Sequence, residues 1–247
     1  MSRHARSPGS ARARRSDRSR PPSRQNRGRD KSRSPPRSSR SEATLQTIES
    51  SAQLQTRLIN DMLDVSRIVL GKFQVDLQPT RLSEIVEAAV TTARPDASDR
   101  GLRLTSKIES SDDLVEADKV RLQQVIGNIL SNAIKFTPPG KEVVLKLDRV
   151  NGSIRIQIRD DGDGIDPAFL PHVFERLRQG CEGPKKRSGL GLGLAIARHI
   201  VELHHGEISA ESAGIGKGAT FTVTLPVMAP QPLPFNDVPE TTRGVVA

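Results

Sequence analysis

From Thr44 onward, apolar residues recur at intervals of three and four. Leu45, Ile48, Ala52, Ile59, Met62 and Val69 fall near one face, widened by Leu54, Leu58, Leu63 and Val65. This period predicts a helix of roughly 26 residues, and Gly71 supplies its C-terminal stop. The apolar face is wide for a surface helix. It suits a bundle or coiled coil, with a core helix of the following domain as the other reading. At Lys72 the pattern changes. "KFQVDL" alternates and predicts a strand, residues 82 to about 98 predict a helix, and "LRLTSKI" alternates again. Asp118 is placed to cap a helix running to about Phe136, with Val120, Leu122, Val125, Ile126, Ile129, Leu130, Ala133 and Ile134 apolar. Pro138-Pro139-Gly140 ends it. "EVVLKLDRV" and "SIRIQIRD" are two strands joined by Asn151-Gly152, a strong hairpin signal. A helix over 190–205 stops at Gly206, and "GEISAES" and "ATFTVTLP" form another strand pair. Hairpins with intervening helices predict an α+β fold, a two-layer α/β sandwich, rather than a doubly wound parallel sheet.

Charge divides the chain. The first 41 residues hold 14 Lys and Arg against 2 acidic residues, a net of +12, so the chain's +9 leaves the remainder at −3. This Arg/Ser/Pro-rich tail has no large apolar residue after Met1 and is expected to be disordered. It has the composition of a polyanion-binding arm, making nucleic acid a weak candidate partner through phosphate contacts. It has no aromatic residue on which bases would stack, and a solvated tail or a mis-assigned start codon is the plainer reading. The expected organisation is therefore 1–41 tail, 42–71 helix, 72–226 folded domain and 227–247 frayed terminus. A single cysteine, Cys181, suits a reducing compartment. With no apolar run of membrane-span length and no secretory-type start, the expectation is a cytoplasmic chain.

Three stretches carry candidate chemistry. The first is "RDDGDGIDP". A calcium loop needs oxygen ligands at positions 1, 3 and 5 with glycine at 6, and neither Asp160 nor Asp161 starts such a frame. Asp160 instead ends a strand, where its carboxylate is able to accept a hydrogen bond from an exocyclic amine. Gly162 and Gly164 let backbone approach a flat ring, and Ile165 offers an apolar wall. These are the parts of a purine pocket. The second is "SGLGLGLA", where Gly189, Gly191 and Gly193 alternate with leucines and open a helix. That arrangement suits phosphate, although a flexible loop is the plainer reading, and neither the dinucleotide nor the Walker pattern is met. The third is "QQVIGNILSNAIKF". Gln124, Asn128 and Asn132 stand one turn apart on a helix, followed by Lys135. Amide oxygens suit Mg²⁺ and lysine suits phosphate, whereas ordinary surface polarity explains the asparagine pair taken alone.

Together and in this order, "QQVIGNILSNAIKFTPPG", "IRDDGDGIDP", "HVFERLRQG", "SGLGLGLAIARHIVELHHGEISAES" and "GIGKGATFTVTLP" resemble the catalytic ATP-binding domain of sensor histidine kinases, in the Bergerat-fold ATPase superfamily. The resemblance covers about residues 42–226. It implies ATP and Mg²⁺ as cofactors, with Asp160 reading the adenine amine and Gly162, Gly164 and Ile165 shaping the pocket. It implies Asn132 as the Mg²⁺ ligand supported by Asn128, Lys135 on phosphate and Phe136 beside the nucleotide. Gln124 would orient the attacking group, making Gln124, Asn128 and Lys135 the catalytic set. Gly189, Leu190, Gly191, Leu192, Gly193 and Leu194 would line the triphosphate, and Thr220 the pocket floor. A mobile lid would run from about Arg176 to Ser188, with Arg178, Lys185, Lys186 and Arg187 reaching phosphates.

The sequence departs from the pattern in two places. Leu177 stands where a second phenylalanine is usual. The 42–71 helix resembles the second helix of the dimerisation and phosphoacceptor hairpin, and the Arg/Ser/Pro tail stands where the first would be. No phosphoacceptor histidine is therefore expected in this chain. His172, His199, His204 and His205 are expected to be structural or surface residues. Transfer would run in trans, with a response regulator or an intact histidine-kinase hairpin as partner and a homodimer formed through the 42–71 helix. The other readings are a truncated or frameshifted ATP-binding fragment without kinase activity, and a different Bergerat ATPase.

Overall fold

In the computed structural model, the Asn151-Gly152 pair closes the hairpin around which the sheet is built. Both residues take positive φ, 51° and 79°, which matches the right-handed twist of the flanking strands. Strands β4 (Glu142–Val150) and β5 (Ser153–Asp160) pair antiparallel across it, with Val150 opposite Ser153 and Val143 opposite Asp160. The structure describes residues 37–109, 112–178 and 190–228, with side chains described at 48, 51 and 52 and from 55 onward.

Before the hairpin come α1 (Arg37–Val69), β1 (Gln78–Arg81), α2 (Leu82–Asp99), β2 (Arg103–Ile108), β3 (Leu114–Ala117) and α3 (Lys119–Phe136). After it come a 3₁₀ turn at Leu170–His172, α4 (Gly193–Leu203), β6 (Glu207–Glu211) and β7 (Ala219–Pro226). The main sheet has the order β2-β4-β5-β7-β6, and β1 and β3 form a separate two-stranded ladder. Only β2 and β4 run parallel, joined through β3 and α3; the other neighbours are antiparallel. This is the expected α+β arrangement. Two units are distinguished, Met1–Ile48 and Glu49–Ala247. Of the first, the described part is the N-terminal portion of α1.

Alternation sets the layers. Val143, Leu145 and Leu147 of β4, Ile154, Ile156 and Ile158 of β5, and Phe221, Val223 and Leu225 of β7 are buried. They meet Leu122, Val125, Ile126, Ile129 and Leu130 of α3 and Ile196, Ala197 and Ile200 of α4 in one core. Each large apolar side chain buried there contributes about 1.5–3 kcal/mol. The opposite face of the sheet is polar. On it Asp148 receives two hydrogen bonds from Arg155, 2.8 and 2.6 Å, and lies 3.1 Å from Lys146 Nζ. The Arg155 guanidinium, with Lys146, holds the Asp148 carboxyl down to about 2.

Local signals explain the helix starts in part. Asp118 caps α3, accepting from the N–H groups of Val120 and Arg121 at 3.1 Å. The N-cap of α2 is Arg81, which makes no side-chain cap. Its role is taken by Asp113, from just before β3: its carboxylate accepts the Ser83 N–H and its carbonyl the Leu82 N–H. His204 fastens the other end of the layer. Its Nε2 accepts the Asp118 N–H at 2.9 Å and its Nδ1 donates to Ile200 O at 2.7 Å, so burial holds a neutral ring and pushes its pKa down.

Several expectations are corrected. Residues 72–77 are extended but belong to no ladder; pairing begins only at Gln78, because β3 is four residues long. Phe73 and Val75 nonetheless pack on the core, which accounts for the alternation. Strand β3 was not expected. Helix α1 begins at Arg37, so residues 37–41 of the expected disordered tail are helical in backbone; extending an existing helix is far easier than starting one. The helix expected over 190–205 is shorter, Gly193–Leu203, which places His204 and His205 on the turn that follows. The remainder of the tail, residues 1–36, and the 229–247 terminus lie outside the described residues.

Candidate functional site

Helix α3 carries one polar stripe. Arg121, Gln124, Asn128, Asn132 and Lys135 follow at intervals of three or four, share a face and are all half-buried. The end of this helix meets the loop after β5, where the Phe136 carbonyl accepts the Asp163 N–H at 2.9 Å. Lys135 Nζ lies 4.8 Å over the Phe136 ring.

Asp160 ends β5 and is 5% exposed. Its Oδ1 accepts the Gly162 N–H at 2.9 Å. Burial pushes its carboxyl up, against the backbone N–H groups of Gly162 and Ala219, which hold it down; the charges of Asp161 and Asp163 push it further up. A charged group kept in such a place destabilises the fold unless a ligand uses it.

The two glycines of this loop are required by close approach. A Cβ on Gly162 would stand 2.5 Å from Phe136 O and 2.7 Å from Asp160 Oδ1. Gly164 has φ +68°, and a Cβ there would stand 2.1 Å from Gly214 O. The loop is laced to residues 212–218. Gly216 N–H donates to Asp163 O at 2.7 Å, Gly218 N–H to Gly162 O at 3.2 Å, and Ile165 N–H to Ser212 Oγ at 3.0 Å. Ile165 is half-buried and packs against the core. Asp166 accepts the Ala168 N–H at 2.8 Å and so opens the turn before the 3₁₀ segment.

Thr220 is placed differently from the expectation. Asp160 pairs with Ala219, and Thr220 pairs with Arg159. Successive side chains alternate across a strand, so Ala219 shares the core side with Phe221 and Thr220 takes the opposite face of the sheet.

Opposite the α3 stripe stands the start of α4. Among the described residues no side chain caps it, so its first N–H groups are available to an anion. Asn128 Nδ2 donates to Gly193 O at 3.0 Å, and a Cβ on Gly193 would stand 3.3 Å from Asn128 Cγ. Gly191 has φ +68° and its carbonyl accepts the Leu177 N–H at 3.1 Å. Leu192 is buried in the core, with Leu190 and Leu194 packed against it. The leucines therefore anchor this segment to the core.

Two expected roles meet other contacts. Gln124 is hydrogen-bonded to Asp64 of α1 and to Arg121. Arg178 is paired with Glu175 at 2.8 Å. Gly189, Lys185, Lys186, Arg187 and Cys181 lie outside the described residues. His172 pairs with Glu175, and His199 stands edge-on to Phe73. His204 and His205 follow the far end of α4, about 16 Å from Gly193 at 1.5 Å per helical residue. Asp64, which completes the buried network at Gln124, lies outside the sequence motifs.

Residues 117–229 match the family described as histidine kinase-, DNA gyrase B- and HSP90-like ATPases. The hybrid signal transduction histidine kinase D of Dictyostelium discoideum is 36% identical over 74% of the chain, and the circadian input-output histidine kinase CikA of Synechococcus elongatus is 35% identical over 74%. The chain carries the catalytic domain of the histidine kinases. It spans 14% and 24% of those two relatives' lengths. The structure of full-length ShkA in complex with AMPPNP superposes with TM-score 0.65 at 25% identity, over 76% of this chain and 39% of that one. The part shared with sensor histidine kinases is their ATP-binding catalytic domain. No described helix is long and apolar enough to cross a membrane.

Proposed function

We propose that this chain binds Mg-ATP between α3, the Asp160 loop and the start of α4, and transfers the γ-phosphoryl group to a histidine on another chain. The observation that carries the reading is the buried Asp160 carboxylate. It is held by backbone N–H groups at the end of β5; the same domain carries the uncapped start of α4 and, against it, the amide stripe of α3. ShkA, solved in complex with AMPPNP, supports an adenine nucleotide as the ligand of this fold.

Asp160 accepts from the adenine amine, Gly162 and Gly164 admit the ring, and Ile165 and Phe136 border it. The backbone from Gly189 to Leu194 meets the phosphates, assisted by Lys135. Asn132, with Asn128 beside it, fits a hard oxygen-seeking cation: both are half-buried amides, and Asn128 has its nitrogen turned to Gly193 O, leaving its oxygen as acceptor. Mg²⁺ held by Asn132 would neutralise phosphate charge. The protein's part is positioning and electrostatic stabilisation. The acceptor imidazole nitrogen bonds to the γ-phosphorus as the bond to the β–γ bridging oxygen breaks, giving phosphohistidine and ADP.

The placement of three of the described histidines supports transfer in trans. His204 has both nitrogens engaged, and His199 and His172 are held by Phe73 and Glu175. The acceptor is then an intact histidine-kinase hairpin, with a response regulator downstream. Helix α1 supports a homodimer: Ile59, Met62, Leu63 and Val69 expose 50–65% of their surface. Incubation with γ-labelled ATP tests the reading. Label is expected on an added hairpin, stable to alkali and labile to acid, and not on this chain. Label on this chain alone would refute transfer in trans, and label on neither would refute the kinase reading.

A further inference from the structure

Asp64 is the unexplained charge of α1. It is 4% exposed, on a helix whose neighbouring Met62 and Leu63 are more than half, or half, in solvent. Its carboxylate is turned into the domain. Oδ2 accepts Gln124 Nε2 at 2.8 Å and Arg121 Nη1 at 3.2 Å, and Oδ1 accepts the same guanidinium nitrogen at 3.4 Å. Arg121 Nη1 also donates to Gln124 Oε1 at 3.0 Å, and its guanidinium lies 4.6 Å over the Phe73 ring. Arg67, one turn further along α1, reaches 3.9 Å from Asp64. The three groups close a ring in which both ends of the Gln124 amide are engaged.

Gln124 is one helical turn before Asn128 on the same α3 stripe. It is therefore the stripe member next in line toward the phosphates, yet its amide is turned to α1. Charge-assisted bonds to Asp64 are stronger than the neutral bonds an amide makes to water. The low exposure of the carboxylate also screens them little.

We propose that Asp64 is a positioning residue that parks Gln124, holding its amide on the α1 side of α3 so that it serves phosphoryl transfer only when α1 and α3 part at this contact. The proposal rests on the nucleotide-site reading above. It makes α1 a restraint on the catalytic domain as well as a dimerisation helix. Arg121 is the second half of the latch: its bond to Gln124 Oε1 fixes which way the amide faces.

The test uses the full chain, with water replacing histidine as nucleophile, so that attack on the γ-phosphorus gives ADP and inorganic phosphate. Asp64→Ala is expected to raise kcat for Mg-ATP turnover at least threefold with KM for ATP unchanged, and Gln124→Ala in the same background removes the gain. The side-chain amide protons of ¹⁵N-labelled Gln124 exchange slowly in the native chain and at least tenfold faster in Asp64→Ala. Should the alanine variant fail to fold, Asp64→Asn, which keeps the size and removes the charge, shows a smaller rise in the same direction. An unchanged or lower kcat in a folded variant that still binds ATP overturns the proposal. So does a gain that survives Gln124→Ala, or the absence of turnover in every variant although all bind ATP. If none binds ATP, the nucleotide-site reading has failed, and the Gln124 exchange rates alone decide whether Asp64 holds the amide.

Discussion

Replacing Asp160 by Asn keeps the shape of the side chain and reverses one hydrogen-bonding direction. In the native chain Oδ1 takes the Gly162 N–H at 2.9 Å, and in the proposed complex the other oxygen accepts the adenine amine. An asparagine that keeps its oxygen on Gly162 must turn its own NH₂ toward that amine, donor against donor. A hydrogen bond to a charged group is worth about 1.5–3 kcal/mol, and at 1.4 kcal/mol per decade the loss corresponds to roughly 10- to 150-fold in affinity. The opposed donors place the effect toward the upper end. Stability moves the other way. Burial raises the Asp160 pKa above 3.8, so its charged form destabilises the fold once the pH exceeds the folded value, and the neutral isostere removes that burden. Titration calorimetry with ATP, alongside thermal unfolding without nucleotide, should show an affinity weaker by about 100-fold and a melting temperature equal to or above that of the native chain. An ATP affinity within threefold of native in a folded variant would refute the assignment of Asp160 as the adenine reader.

Asp148→Asn should lose roughly 2 kcal/mol near neutral pH, from a carboxyl lowered from 3.8 to about 2. Because the folded value is depressed, the difference is present above 3.8 and fades as the pH falls toward 2, which urea unfolding across that range would show. Asp113→Ala removes the distant cap of α2 and should destabilise by about 1–2 kcal/mol, read from the denaturation midpoint, with nucleotide affinity retained. The depressed His204 value predicts stability that is intact above 6.5 and declines as the pH falls below it. A His204→Leu variant, less stable at pH 7.5, should lose this dependence between pH 7 and 5. Gly193→Ala pushes a methyl against Asn128 and should weaken Mg-ATP binding more than binding of metal-free ATP, measured by calorimetry with and without Mg²⁺.

What the sequence disclosed and what it concealed divide by range. The Asn151-Gly152 turn and the Asp118 cap are settled by neighbours within three residues, and both formed as read. The purine-pocket reading placed Asp160 at a strand end beside two glycines, where it stands. The concealed features are contacts made across many residues. Asp113 caps a helix that begins 30 residues earlier, and β3 is too short to show a period of two. Residues 72–77 alternate because Phe73 and Val75 dock on the core, a pattern that a strand would share. Thr220 pairs with Arg159 and not with Asp160, and in a strand one residue is the whole difference between one face and the other. The Asp64 ring joins residues 60 positions apart; the one signal in the sequence was an acid beside apolar neighbours in an otherwise amphipathic helix.

Nucleotide selectivity reaches the central claim most directly. Guanine carries a carbonyl where adenine carries its amine, which sets an acceptor against the Asp160 carboxylate. Calorimetric titration of the full chain with ATP and then GTP, each with Mg²⁺, should show one site for ATP and an affinity for GTP lower by at least about 100-fold. Equal affinities for the two, or no binding of ATP, would contradict the account.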